Sequence, residues 1–145
     1  LPLLAESAQS TLKDIGMDVQ INATADHNTI VKDTSAWDVY VGANVNCGLG
    51  DPTNFFSTHC LDASIKNRGQ YHSDKMEELA VQLNSTFDKT ERNQIAIEMQ
   101  QQLLDDNAFV FCSFLKMSMI SQANVTGLTA HACDYYELTA DLDIN

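Results

Sequence analysis

The side chains that most often carry catalysis or metal binding are scattered along this 145-residue chain. There are four cysteines and four histidines: Cys47, Cys60, Cys112, Cys133, His27, His59, His72 and His131. No two cysteines form C-x-x-C, and no two histidines have the i, i+4 spacing of a helical metal site. This spacing argues against a zinc ribbon or a thioredoxin-like centre and favours loop histidines over metal ligands. We therefore predict no directly bound metal and no cofactor.

A thiol nucleophile is the main enzymatic alternative, with Cys47 or Cys60 beside a histidine. Neither cysteine lies in a nucleophile motif, no serine lies in G-x-S-x-G, and GLGDP lacks the length and the lysine of a phosphate loop. The thiols could instead pair as disulfides, Cys47 with Cys60 and Cys112 with Cys133, and the sequence does not rank these pairs against free thiols. We predict no enzymatic activity and keep a small secreted thiol hydrolase as an alternative.

The charge balance narrows the range of partners. Lys and Arg number 8 against 20 Asp and Glu, which gives a net charge of −12. Nucleic acids and anionic membranes attract a surplus of basic residues, so this composition disfavours both. No apolar run approaches the roughly 20 residues of a membrane span. The sequence opens within a helical pattern, without the basic and apolar regions of a signal peptide, so we expect a piece of a larger protein.

Helical periodicity and capping residues predict three to four helices. The first covers residues 2–15 and ends at Gly16. The polar segment that follows allows a short helix at residues 27–32 as an alternative to a loop. Asp51 precedes a short helix that begins at Pro52. Ser73 caps a helix whose inner face we predict to be Met76, Leu79, Ala80 and Leu83. Asp88 with Glu91 then begins a helix to about residue 106, with Ile95, Met99 and Leu103 facing inward.

Apolar alternation and apolar runs predict three strands, at residues 17–21, 37–43 and 109–115. A helix followed by a glycine and a strand is half of a βαβ unit, so we predict an α/β fold with a small mixed sheet. A turn is expected at Gly127. The whole chain, residues 1–145, is predicted to form a single domain.

Several segments carry a resemblance to a known family. They are LPLLAESAQSTLKDIGMDVQI, WDVYVGANVNCGLGDPTNFF, YHSDKMEELAVQLNSTFDKTERNQIAIEMQQQLLDDNAFVFCSF and VTGL. In order and spacing they resemble the C-terminal part of the extracytoplasmic solute-binding proteins of ABC importers, in the family that binds peptides and nickel. The resemblance implies one lobe of a type II periplasmic-binding-protein fold and location in the periplasm or at the outer face of the membrane. It also implies capture of a peptide-like or metal-chelate solute between two lobes and its delivery to a membrane permease.

The same resemblance places the solute-facing loop just before Asp51. The ligand-binding candidates are Val45, Asn46, Cys47, Gly48 and Asp51. Asn46 can donate and accept hydrogen bonds, whereas Asp51 is expected mainly to cap the next helix. In peptide-binding members an aspartate that pairs with the peptide's amino group would fall at Gly48, so the glycine weakens the peptide interpretation. His59 is nearest to the histidine of nickel-type members, although it does not align with it.

An interaction domain without a small ligand is the second alternative. The isolated chain would expose apolar surface meant for missing strands, so we expect copies of it to associate.

Overall fold

The structure, a computed structural model, describes residues 1–44, 50–116, 118–130 and 138–145. Within these residues the helices are α1 (Pro2–Asp14), α2 (His27–Ile30), α3 (Thr53–His59), α4 (Asp74–Ser85) and α5 (Lys89–Asp105). The strands are β1 (Val125–Thr126) and β2 (Asp143–Ile144). The chain forms two compact units, Leu1–Val110 and Phe111–Asn145.

Helix α1 forms where the sequence predicts it, but none of its residues is buried. Pro2 occupies the first turn, and Gly16 ends the helix at φ +87°, a left-handed conformation that glycine adopts without steric cost. The Gly16 and Met17 amides donate to the carbonyls of Lys13 and Leu12, which closes the last turn. The apolar side chains at helical spacing along this segment, such as Leu4 and Ile15, lie on an open face, since they are 37% and 71% exposed.

Helices α4 and α5 are capped as predicted. The Ser73 hydroxyl accepts a hydrogen bond from the Met76 amide at 3.4 Å. The Asp88 carboxylate accepts from the amides of Thr90 and Glu91 at 2.9 and 3.0 Å. Each cap satisfies amides that have no partner inside the helix. The acidic side chains in the first turn also interact favourably with the positive end of the helix dipole.

The core lies where α3, α4 and α5 pack together. It contains Phe56, Cys60, Met76, Leu79, Ala80, Leu83, Ala96, Met99 and Leu103. All four predicted inner residues of α4 are among them, and so are Met99 and Leu103 of α5. Ile95 is only partly buried because Ala96 takes the neighbouring inner position. The described residues contain no helix long and apolar enough to cross a membrane.

The C-terminus of α5 carries two acidic residues, an arrangement that opposes the helix dipole. The structure supplies partners for both. Asp105 accepts from the Gln101 amide group at 2.8 Å, and Asp106 accepts from the Gln102 amide group at 2.9 Å. The Tyr71 hydroxyl also donates to Asp106 at 2.6 Å. These hydrogen bonds offset the unfavourable placement and tie the segment before α4 to the end of α5.

The three predicted strands are wrong in this structure, because none of the segments forms a β-strand. At residues 17–21, the Val19 carbonyl accepts a hydrogen bond from the Gln9 side chain instead of a neighbouring strand. At residues 37–43, the rings of Trp37 and Tyr40 pack 5.9 Å apart. Residues three apart lie on opposite faces of a strand, so this contact is incompatible with one. A segment with strand propensity forms a strand only when a neighbouring strand pairs with it and other elements cover it. The sequence pattern does not specify these partners.

The third segment shows the same dependence on its surroundings. Phe109 packs against Phe55 with ring centroids 5.9 Å apart, but Phe114 is 88% exposed. Among the described residues, β1 and β2 form an antiparallel two-stranded sheet, with Val125 opposite Ile144 and Thr126 opposite Asp143. Membership in a type II binding-protein lobe, and organisation as a single domain, stay predictions.

The β1–β2 pair depends on Gly127, which directly follows β1 at φ +73°. A Cβ atom at this position would lie 1.8 Å from the Asp141 carbonyl oxygen, so no side chain fits. The predicted turn around Gly127 is therefore also a point of close backbone approach.

Replacing Gly127 with alanine is expected to open the β1–β2 pair, because the new methyl group and the backbone of Asp141 cannot occupy the same space. The Asn145 amide, which donates to the Asn124 carbonyl at 2.9 Å, should then lose its protection against hydrogen exchange. Gly16→Ala is the matched control, since Gly16 has a similar φ of +87° with nothing within 4 Å of the added Cβ. It should cost only about 1 kcal/mol. Unchanged exchange at Asn145 in Gly127→Ala would contradict the prediction.

Candidate functional site

The predicted solute contacts Val45, Asn46, Cys47 and Gly48 lie outside the described residues, so their role stays a prediction. The fifth candidate, Asp51, is described. It lies at the start of α3, whose first residues are Pro52 as the N-cap and Thr53. The structure therefore shows how the chain is held immediately after the predicted loop.

Asp51 caps the first turn of α3 with its side chain, as the sequence predicts, although α3 begins at Thr53, one residue after the predicted start, and Pro52 holds the N-cap position. Its Oδ1 atom accepts a hydrogen bond from the Thr53 amide at 2.8 Å. Hydrogen bonding from Thr53, together with the positive charge of Arg92, holds the pKa of the Asp51 carboxyl below its ordinary value. The carboxylate is thus charged at neutral pH.

Arg92 connects Asp51 to the helical core. Its Nη2 atom donates to Oδ1 and Oδ2 of Asp51 at 3.2 and 2.9 Å and to the Thr53 hydroxyl at 2.9 Å. Its Nη1 atom donates to the carbonyls of Leu83 and Thr86, the latter at 2.9 Å. We call Asp51, Thr53 and Arg92 the Asp51–Arg92 bracket. It fastens the start of α3 to the junction between α4 and α5.

The guanidinium group suits this position because its planar donors can reach several acceptors in fixed directions. The Arg92 side chain is 21% exposed and that of Asp51 is 49% exposed. The interaction is therefore partly shielded from solvent. The carbonyls of Leu83 and Thr86 accept hydrogen bonds from guanidinium donors that would otherwise be buried without an acceptor.

Sequence reasoning missed the role of Arg92. Of the D-x-x-E-R start of α5, only the capping pattern of Asp88 and Glu91 entered the prediction. An arginine in the first turn of a helix is unfavourable for the dipole, and this could have signalled a specific partner. The partner lies 41 residues away in sequence, so only the fold identifies it.

His59 and Cys60 belong to the core and do not form a reactive pair. Burial raises the pKa of the Cys60 thiol to about 12, so the thiol is protonated at neutral pH. A nucleophilic cysteine needs a thiolate, so the buried environment of Cys60 disfavours the thiol-hydrolase alternative at this residue. Cys47 lies outside the described residues.

His59 is 5% exposed and packs on Phe55 with ring centroids 5.2 Å apart. Burial, followed by the positive charge of Lys66, lowers its pKa. Across the described ranges, no three His, Cys, Asp or Glu side chains come close enough to hold a metal ion. The burial of His59 and its packing on Phe55 give it the environment of a core histidine.

His59 and His72 are expected to titrate on opposite sides of the ordinary histidine pKa of about 6.5. His72 is exposed, and its Nδ1 atom lies 2.9 Å from both carboxylate oxygens of Asp62, which raises its pKa. The fold favours neutral His59, so its contribution to stability is present above about pH 6.5 and is lost as the pH falls toward its lowered pKa. The contribution of His72 is present below about pH 6.5 and is lost as the pH rises through its raised pKa.

Nuclear magnetic resonance titration of the imidazole Cε1 protons checks this order. The variant Asp62→Asn should return the midpoint of His72 toward the ordinary value and leave that of His59 unchanged. Equal midpoints for the two histidines in the unaltered chain would contradict the described environments.

Comparison with curated proteins finds a relative of part of this chain. The chain is 30% identical over 96 residues to the nickel-binding protein NikA of Staphylococcus aureus (strain NCTC 8325 / PS 47). The match covers 66% of this chain and 20% of the relative, so the chain spans about a fifth of the length of the protein it matches. No family model matches the chain. No solved structure matches it either. The similarity is to a binding protein, which agrees with the prediction that the chain is not an enzyme.

Proposed function

We propose that this chain is part of the extracytoplasmic solute-binding component of an ABC importer, with a metal-related solute such as a nickel chelate as its cargo. The observation that carries the proposal is the 30% identity to a nickel-binding protein. Gly48 adds support, because it stands where peptide-binding members would place the aspartate that holds an ammonium group.

The proposed mechanism is capture without chemistry. Solute binds between two lobes, and closure shifts a hinge equilibrium toward the form that docks on the permease. Residues 45–48 would supply part of the contact surface. A chelated metal already has its ligands, so it can be recognised through amide and main-chain groups without protein metal ligands.

Native mass spectrometry of the full-length gene product tests the proposal. The protein is presented with nickel(II) chloride, nickel(II) chloride with histidine, and a mixture of short peptides. We expect a nickel-containing adduct that requires histidine or a similar chelator and that disappears with excess EDTA. A peptide adduct without metal would change the cargo to peptide. The absence of any adduct would contradict the solute-binding role.

Self-association of the isolated chain is a separate proposal. It is supported by exposed apolar side chains, with Phe114 at 88% and Ile120 at 94% exposure. Surfaces of this kind favour contacts between chains. Light scattering at micromolar concentration should show species larger than a monomer. Monomers alone would contradict the proposal.

A further inference from the structure

The loop that joins α3 to α4, residues 60–73, lies against two buried side chains. His59 and Cys60 are 5% and 1% exposed. The main chain of Lys66 forms a hydrogen bond with the His59 ring. Tyr71 packs against the core cluster that contains Cys60. We call residues 60–73 the α3–α4 loop, and its position keeps an imidazole and a thiol away from solvent.

The α3–α4 loop is organised around one of its own side chains. Asn67 donates through Nδ2 to the carbonyls of Leu61 and Tyr71 at 3.2 and 2.7 Å. Its Oδ1 atom accepts from the Tyr71 amide at 2.9 Å. These bonds draw the two ends of the loop together, as in a compact Ω-loop. Gln70 has a φ of +52°, a left-handed conformation that is unfavourable for a residue with a Cβ atom, so the closed loop is strained there.

His72 joins the loop to α4. Its Nδ1 atom lies 2.9 Å from both carboxylate oxygens of Asp62, and its Nε2 atom lies 3.7 Å from Oδ1 of Asp74. The Asp62 amide donates to Oε1 of Glu77 at 2.8 Å. We call these four residues the His72 latch. Among the described residues, the charged groups that act on His72 are Asp62 from the loop and Asp74 and Glu77 from α4.

The charge of His72 decides whether the latch is attractive. An imidazolium places one positive charge among three carboxylates and makes its bond to Asp62 charge-assisted. A neutral imidazole leaves the three carboxylates without a counter-charge, and their repulsion acts between the loop and α4. The hydrogen bond from His72 to Asp62, followed by the Asp62 charge, raises the pKa of His72. The attraction is therefore present below about pH 6.5 and is lost as the pH rises through the raised pKa.

We propose that the His72 latch is a pH-sensitive closure of the α3–α4 loop. Protonated His72 holds the loop against α4, and neutral His72 releases it and uncovers His59 and Cys60. The latch residues are exposed, so the change is a shift in the population of open loops and not a complete transition. The latch does not depend on which solute the protein carries.

Two substitutions at His72 separate its charge from its hydrogen bond. His72→Lys keeps a positive charge at about pH 6 and about pH 8, whereas His72→Gln keeps a donor for Asp62 without the charge. His27→Gln is the control, because His27 is an exposed histidine in α2 and not part of the latch. The loss of a histidine elsewhere on the surface should leave the loop unchanged.

The test uses the full-length gene product at about pH 6 and about pH 8, on either side of the expected midpoint. Mass spectrometry measures hydrogen exchange in peptides that cover residues 61–71 and the rate of Cys60 alkylation by iodoacetamide. Each rate is divided by that of His72→Lys at the same pH, which removes the direct effect of hydroxide on both reactions. Both wild-type ratios should be close to one at the lower pH and rise about two- to fivefold at the higher pH.

His72→Gln should show the raised ratios at both pH values, and His27→Gln should follow the wild type. Wild-type ratios that do not change with pH would overturn the latch. So would a pH response that His27→Gln abolishes, or a response of the loop peptides without one at Cys60. If His72→Lys disrupts the loop, the wild type and His72→Gln are compared directly. They should then differ at the lower pH and coincide at the higher pH, and equal rates at both would overturn the proposal.

Discussion

Arg92→Met is expected to lower the free energy of unfolding by about 2–4 kcal/mol. The substitution removes the guanidinium donors from Asp51, Thr53, Leu83 and Thr86. The Asp51 carboxylate is half-exposed and can regain water, which limits its share of the loss. The carbonyls of Leu83 and Thr86 accept part-buried hydrogen bonds from Arg92. Water replaces these bonds less completely, so they account for more of the lost stability. Urea unfolding followed by circular dichroism measures the change.

Lys89→Ala is the control for charge. Lys89 is also a basic residue in the first turn of α5, but it is exposed. Its loss should change the free energy of unfolding by no more than about 0.5 kcal/mol. If the two variants lost equal stability, the bracket would not be the cause. An Arg92→Met variant as stable as wild type would show that water replaces the bracket at no cost.

Leu79→Ala is expected to lower the free energy of unfolding by about 2–5 kcal/mol. Leu79 is 1% exposed and lies in the cluster formed by α3, α4 and α5. Truncation removes buried methyl groups and leaves a cavity that the surrounding helices can fill only in part. The core of this chain is small, so the loss is large against the 5–15 kcal/mol that is typical for a whole domain.

Val81→Ala, two residues along the same helix, provides the comparison. Val81 is 70% exposed, and the substitution replaces a β-branched residue with the best helix former. It should leave stability unchanged or raise it by a few tenths of a kcal/mol. Chemical denaturation of the two variants in parallel separates burial from helix propensity. Comparable losses in both would mean that the α4 face is assigned wrongly.

The helices were predictable because their signals are local. Ser73 and Asp88 mark the starts of α4 and α5 through hydrogen bonds to amides two or three residues away. The inner faces repeat every three or four residues, so a helix brings Met76, Leu79 and Leu83 to one side whatever it packs against. The left-handed turn at Gly16 is local in the same way.

The candidate site was predictable only in part. Asp51 as a cap follows from its position before Pro52, and the structure confirms it. The solute role of residues 45–48 came from resemblance and stays a prediction. The partnership of Asp51 with Arg92 spans 41 residues and had no local signal beyond a basic residue in an N-terminal helical turn.

By itself the sequence determined the helices, their caps, their buried faces and the acidic surface. These depend on interactions within about one helical turn or on composition alone. The tertiary structure decided that residues 17–21, 37–43 and 109–115 form no strands and that β1 pairs with β2. It also decided that His59 and Cys60 are buried and that Arg92 holds Asp51. Strand pairing, burial and ion pairing join residues distant in sequence, so their outcome depends on which partners the fold brings into reach.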